Sequence, residues 1–418
     1  METLAPGNVE TVKGRLSPAP ILVLIFLTAM NAWSFVDSYL LPAVQPLIQT
    51  EFHISDTQLG AITSWFIVVY SLALLPLGKL GDKVSTVRII SGCGILWSLT
   101  MIATANTHSY HALSLSYSMV GIGEAGFSVF APILLTDLFP LRSLTWVLAV
   151  FYTAPAVGAA AGYGLGSRLA QNYGWHTAFR VSAIPGLVIA LVVLFLFRNL
   201  PQLSQSHTSR VPFRQLGSQL LHNRIYVFHS VSYAFVVFAL GAFQTWLPTL
   251  MMRRFHFSLE VAGMKAGVVT LISGIVGTLL GGLIAQRWLR RNPAALSLFS
   301  AWATLVSVPF CLLTIYGPES WVVPSALLLL LCICATIAPQ SAVVLHALPP
   351  NSSRPRALLI AALLSHVLGD AISPVLTGFL SDHIGLRLAV AFSSIPLFVA
   401  GAMLLVPLPP PLLELEAA

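Results

Sequence analysis

Leu75-Pro-Leu-Gly78-Lys79-Leu80-Gly81-Asp82-Lys83-Val-Ser-Thr-Val-Arg88 is the stretch on which the reading of this chain turns. It sets two glycines, an acid and three cations between two long apolar runs. The glycines allow two helices and a tight connection to approach closely. Lys79, Lys83 and Arg88 mark the cytoplasmic face of a membrane, and Asp82 is placed to face the N-terminus of a neighbouring helix.

The rest of the composition agrees with a membrane setting. Of the 418 residues, 56% are hydrophobic and 8% charged, and the mean hydropathy is +0.85. A soluble domain carries about 25% charged residues, so that class is excluded. The net charge of +7 would suggest nucleic acid in a soluble protein. Here the cations fall in short loops, which points to orientation and to contact with anionic membrane lipids. Cys93, Cys311, Cys332 and Cys334 lie inside apolar runs and read as small core residues, not as a metal site. No cofactor and no nucleic-acid partner is expected. The polar opening segment and the long first apolar run argue against a cleaved signal. Asn351-Ser-Ser353 matches a glycosylation sequon but is assigned to the cytoplasmic side.

Apolar runs of about twenty residues predict an all-α polytopic membrane protein with twelve spans. They fall near 20–47, 58–79, 86–105, 110–138, 143–166, 176–198, 224–251, 259–287, 294–316, 320–347, 355–380 and 386–407. The implied organisation is a tail (1–19), a six-helix bundle (20–198), a cytoplasmic linker (199–223), a second six-helix bundle (224–408) and a tail (409–418). A short interfacial helix is expected near Val211 to Leu221. With both termini in the cytoplasm, only Arg168, Arg180, Arg253, Arg254, Lys265 and Arg387 fall on the far side.

The two halves echo each other. Gly174-Trp-His-Thr-Ala178-Phe-Arg-Val-Ser182-Ala-Ile184-Pro185 aligns without gaps on Gly385-Leu-Arg-Leu-Ala389-Val-Ala-Phe-Ser393-Ser-Ile395-Pro396. Five of twelve positions are identical at an offset of 211. The Gly78–Lys83 turn has a degraded counterpart in Gly282–Arg287. Such repeats occur in transporters whose substrate lies between the halves near the bilayer midplane.

Ionisable groups inside spans are costly and hence functional candidates. Asp37 lies in span 1 and Glu124 at the middle of span 4. Desolvation favours the neutral form of a carboxylate, a property suited to carrying a proton. In span 11, Asp370 lies one helical turn after His366, so the two share a face. Each acid has a plainer reading, as a group tied to a neighbour that only fixes helix packing. His229 and His346 read as hydrogen-bonded core residues. In span 5, Pro155 with Gly158, Gly162 and Gly166 suits helix packing and bending, and Gly162-x-Gly164-x-Gly166 lacks the strand that a phosphate loop requires.

Several segments resemble the spinster-like branch of the major facilitator superfamily. They are Gly121-Ile-Gly-Glu124-Ala with Ala131-Pro132 and Asp137, His366-Val-Leu-Gly369-Asp370 with Ser373-Pro374 and Ser381-Asp382, and Gly241 to Trp246-Leu-Pro248. The resemblance implies an alternating-access carrier of lipid-like molecules with Asp37 and Glu124 at a central cavity. It also implies arginines where this chain has Ser38 and Tyr117, and their absence makes a neutral or cationic amphiphile plausible. Ser38, Tyr117, Trp246, His366 and Asp370 are then expected as substrate contacts. Gly78, Asp82, Lys83 and Arg88 are expected as a gating loop, with Asp82 bridging to Arg354 or Arg356. The reading is a proton-coupled secondary transporter, monomeric, with compact loops that favour a bacterial inner membrane. A drug or metabolite exporter, a less favoured organic-anion symporter and a non-transporting sensor remain open alternatives. No nucleophile–base pair suggests an enzyme.

Overall fold

The computed structural model describes residues 18–80, 84–198, 213–292, 294–346 and 354–406. Among them are twelve helices long and apolar enough to cross a membrane, and no strand. Spans 1–4 are Pro18–Phe52, Asp56–Leu80, Thr86–Thr104 and Tyr110–Leu138. Span 5 comprises Leu141–Phe151 and Ala154–Tyr173, and span 6 is Trp175–Phe197. Span 7 is Arg224–Phe255, and span 8 runs through Leu259–Ile272, a π-turn at Ser273–Gly277 and Thr278–Leu289. Span 9 is Ala295–Tyr316, and span 10 is Glu319–Ala335 with Ile337–His346. Span 11 joins Arg354–Ser365, a π-turn at His366–Asp370 and Ser373–Ile384, and span 12 is Leu386–Ala391 with Ser394–Leu404. A short helix, Phe213–His222, precedes span 7 where an interfacial helix was expected.

Span 5 breaks for a local reason. Pro155 has no N–H to give the carbonyl four residues earlier, which is that of Phe151. That carbonyl instead accepts from the Asn31 side chain of span 1 at 3.0 Å. Beyond the break, Gly158 and Gly162 lie against span 1. A Cβ added at Gly158 would collide with the Ala32 carbonyl, and one at Gly162 would lie 2.6 Å from the Val36 carbonyl. Gly166 meets the Leu40 side chain. The four-residue spacing of these glycines therefore matches the four-residue steps Ala32, Val36 and Leu40 along span 1, and the two backbones pack at close range.

The internal repeat is visible in backbone geometry. Gly174 and Gly385 both have φ 82°, joining spans 5 and 6 and spans 11 and 12. Each amide donates to the carbonyl four residues back, Ala170 or Ser381, at 2.9 Å. A second pair was not apparent from the aligned segments. Phe52-His53-Ile54-Ser55 and Phe255-His256-Phe257-Ser258 end spans 1 and 7, with His53 at φ 50° and His256 at φ 56°. Both serines then accept from an amide three residues on, Gln58 or Val261, at 3.3 Å.

Contacts between spans 1–6 and spans 7–12 are concentrated on two crossings, span 2 with span 11 and span 5 with span 8. Glycines permit both. A Cβ at Gly60 would strike the Pro374 backbone and one at Gly378 the Asp56 backbone, while Gly263 and Gly267 abut Ser167 and Ala160. These crossings hold the halves together at the end of the bundle that carries Asp56. Farther along, Leu363 of span 11 packs on a patch of Ala73, Leu74 and Ala125.

Candidate functional site

Between these contacts lies a cavity of about 220 Å³. Its walls are helical stripes. Span 1 supplies Asn31, Ser34, Phe35, Ser38, Tyr39 and Pro42, and span 2 supplies Thr63, Phe66, Ile67 and Tyr70. These recur at three- and four-residue steps, the period of one helix face. Tyr117, Glu124, Phe127 and Ser128 come from span 4; spans 7 and 11 close the other side.

Glu124 is buried and lines the cavity. The Ser38 hydroxyl reaches both of its oxygens, at 2.8 and 3.1 Å. The Tyr117 hydroxyl donates to the Ser38 carbonyl at 3.2 Å. Of the two positions that carry no arginine, Ser38 thus gives the carboxylate a neutral hydroxyl partner and Tyr117 holds the Ser38 backbone. On the opposite wall, His366 Nδ1 lies 3.0 Å from Asp370 Oδ2, inside the π-turn of span 11. Tyr70 meets the His366 ring edge-on at 5.8 Å, and its hydroxyl contacts Ser128 Oγ at 2.8 Å.

Two expected cavity residues are placed elsewhere. Asp37 is fully buried inside the first bundle, where its Oδ1 accepts from the Ser182 hydroxyl of span 6. One residue is about 100° of helix rotation, so Asp37 turns away from the stripe that Ser38 occupies. Trp246 is also fully buried and donates through Nε1 to the Pro374 carbonyl at 3.2 Å. An indole buried in an apolar interior needs such an acceptor, so its ring serves the span 7–span 11 contact and not the cavity.

A polar closure at the Asp56 end escaped sequence reading. Arg253, from the end of span 7, grips Asp56 with two hydrogen bonds of 2.6 Å. Gln49 adds a bond of 2.8 Å to Asp56, and the Ser381 hydroxyl donates to it as well. From span 11, Asp382 accepts from the Asp56 and Thr57 amides at 2.9 Å each. It caps the N-terminus of span 2 from the other half, where an anion is favoured by the helix dipole. The arrangement recurs in neutral form, with Gln171 of span 5 capping the Glu260 amide of span 8 at 2.8 Å. The available signal was Arg253 itself, a cation on the side where the positive-inside rule expects few.

Asp82 and Lys83 lie outside the described residues, and so does the bridge expected from Asp82 to Arg354 or Arg356. Span 2 runs through Gly78, and Arg88 is exposed in the first turn of span 3.

Two six-span groups around a central cavity, gripping each other at one end, define the class as a polytopic membrane transporter. A family model for the Major Facilitator Superfamily matches residues 21–353. Human "Protein spinster homolog 1" is 30% identical over 400 residues, covering 88% of this chain and 74% of that protein. Mouse "Sphingosine-1-phosphate transporter SPNS2" is 31% identical over 391 residues, covering 86% and 69%. A solved bacterial homologue of the human lysosomal transporter Spinster, inward-facing and occupied, superposes with TM-score 0.84 at 20% identity, covering 94% of this chain and 97% of that one. The chain belongs to the major facilitator superfamily, in its spinster-like branch. It is a transporter and not an enzyme.

Proposed function

We propose that this protein is a proton-coupled secondary transporter of an amphiphilic, lipid-like molecule, working by alternating access. The observation that carries the reading is Glu124, a carboxylate buried on the wall of an inter-half cavity. Among the described residues it takes part in no ion pair. A carboxylate held only by hydroxyl groups can exchange a proton without breaking a salt bridge. Asp37, inside the bundle and next in sequence to Ser38, is the second proton-handling candidate. The mouse relative named as a sphingosine-1-phosphate transporter supports the lipid-like substrate class. With the termini on the cytoplasmic side, the Asp56 end faces outward, so the structure corresponds to a state closed to the outside. The protein is read as a monomer of the plasma membrane, with surrounding lipids bound at its cationic loops. The bacterial inner membrane is favoured.

The test is a purified protein in liposomes loaded with a pH-reporting dye. Sphingosine, sphingosine 1-phosphate and a lysophospholipid serve as probes. Wild type is expected to move protons on addition of at least one of them, and Glu124→Gln is expected to abolish that signal while retaining fold and insertion. Proton movement unchanged in Glu124→Gln would remove Glu124 from the coupling role.

A further inference from the structure

The cavity's lining is unbalanced in charge. It presents two carboxylates, Glu124 and Asp370, on opposite walls, and no lysine or arginine among its lining residues. His366 faces Asp370 and serves that acid, so Glu124 is left with hydroxyl partners alone.

Its hydrogen-bond donors are also largely engaged. Asn31 gives its amide to the Phe151 carbonyl. Tyr117 gives its hydroxyl to the Ser38 carbonyl and Ser128 to the Ala125 carbonyl. Tyr70 is held by Ser128, and Ser38 by Glu124. Of the donors that remain, Thr63 and Gln244 are neutral, and the His366 ring is paired with Asp370. They offer nothing to offset a phosphate placed beside two carboxylates, where like charges repel strongly at short range.

A cation finds the opposite. Glu124 can accept a charge-assisted hydrogen bond, and the rings of Phe66 and Tyr117, 5.3 Å apart, stand on the same walls with Tyr70, Phe35 and Phe127. Aromatic faces of this kind attract an ammonium group. The volume of about 220 Å³ lies below the roughly 300 Å³ at which drug-sized pockets begin. It suits a headgroup whose chain extends beyond the cavity.

We infer that the cavity selects a single-chain amphiphile with a cationic ammonium headgroup, seated on Glu124 with Asp370 on the facing wall. This rests on the reading of the cavity as the transport site. It departs from the phosphate-headed substrate named for the mouse relative.

The experiment measures binding of dodecylamine, dodecyl phosphate and dodecylphosphocholine, each below its micellar concentration, to the purified protein in nanodiscs. Wild type is expected to bind dodecylamine at least tenfold more tightly than either phosphate. Glu124→Gln and Asp370→Asn are each expected to weaken the amine about tenfold, while dodecyl phosphate binds no more weakly than to wild type because one like charge is gone. Ser128→Trp fills the cavity from an exposed wall position and is expected to abolish amine binding. If a phosphate binds as well as the amine and Ser128→Trp blocks it, the charge inference falls and the cavity reading stands. If Ser128→Trp leaves all binding intact, both fall. Circular dichroism and the thermal midpoint verify that each variant is folded.

Discussion

At the scale of single residues, position around a helix decides more than residue type. Asp37 and Ser38 are neighbours in sequence, yet one is sealed inside a bundle and the other touches the cavity. The intramembrane acids were legible because charge in an apolar run is conspicuous. Their directions were not, because a rotation of 100° separates a cavity wall from a helix interface. The stripe Asn31, Ser34, Phe35, Ser38, Tyr39 and Pro42 was the available signal for the cavity face. Asn31 also shows a residue whose role depends on a distant backbone group, the Phe151 carbonyl freed by Pro155. Asn31→Leu should leave that carbonyl unpaired and destabilise the protein by about 1 kcal/mol. The check is a thermal midpoint in detergent, expected to fall by about 2 °C; an unchanged midpoint would show that the bond contributes nothing.

At the scale of elements, the glycines of span 5 carry a clear contrast. Gly162 abuts the backbone of span 1, whereas a Cβ at Gly164 would meet nothing within 4 Å. Gly162→Ala should therefore cost about 1–3 kcal/mol through forced separation of the two spans. Gly164→Ala should be neutral or gain up to about 1 kcal/mol from helix propensity. Denaturant titration of the two variants side by side distinguishes the cases, and equal effects would contradict the packing described. The spacing of these glycines was readable as a packing face. The partner was not, because small residues at four-residue intervals fit any close helix. Span boundaries were readable nearly throughout, since apolar length is a local property. Span 1 ends at Phe52 and span 5 at Tyr173, both beyond the apolar core, because polar residues such as Gln49 and Gln171 continue the helix to reach the other half.

At the scale of the whole molecule, the two halves are held at the Asp56 end by Arg253 and by the paired trans-caps of Asp382 and Gln171. Opening that end requires breaking both sets. Arg253→Ala leaves Asp56 without its bidentate partner and should shift the population toward opening there. In a background without Cys93, Cys311, Cys332 and Cys334, a Thr63→Cys reporter on the cavity wall measures this. A membrane-impermeant maleimide applied outside intact cells should label it about tenfold faster when Arg253 is absent, equivalent to about 1.4 kcal/mol. An unchanged rate would show that the pair does not hold the closure.

The sequence by itself determined that this is a twelve-span membrane protein with an internal repeat, because length, apolarity and loop charge are properties of short segments. It also singled out Glu124, His366 and Asp370 as polar groups an apolar helix does not hold without a reason. Only the tertiary structure decided which of them share a cavity, that Asp37 and Trp246 do not, and that Asp56, Arg253 and Asp382 join the halves. Those facts depend on helix rotation and on contacts between residues as far apart as Asp56 and Asp382, which no local pattern encodes. The Gly78–Arg88 turn pointed to the fold from sequence alone, whereas the bonds from Ser38 to Glu124 and from Tyr117 to the Ser38 carbonyl exist only through the packing of spans 1 and 4.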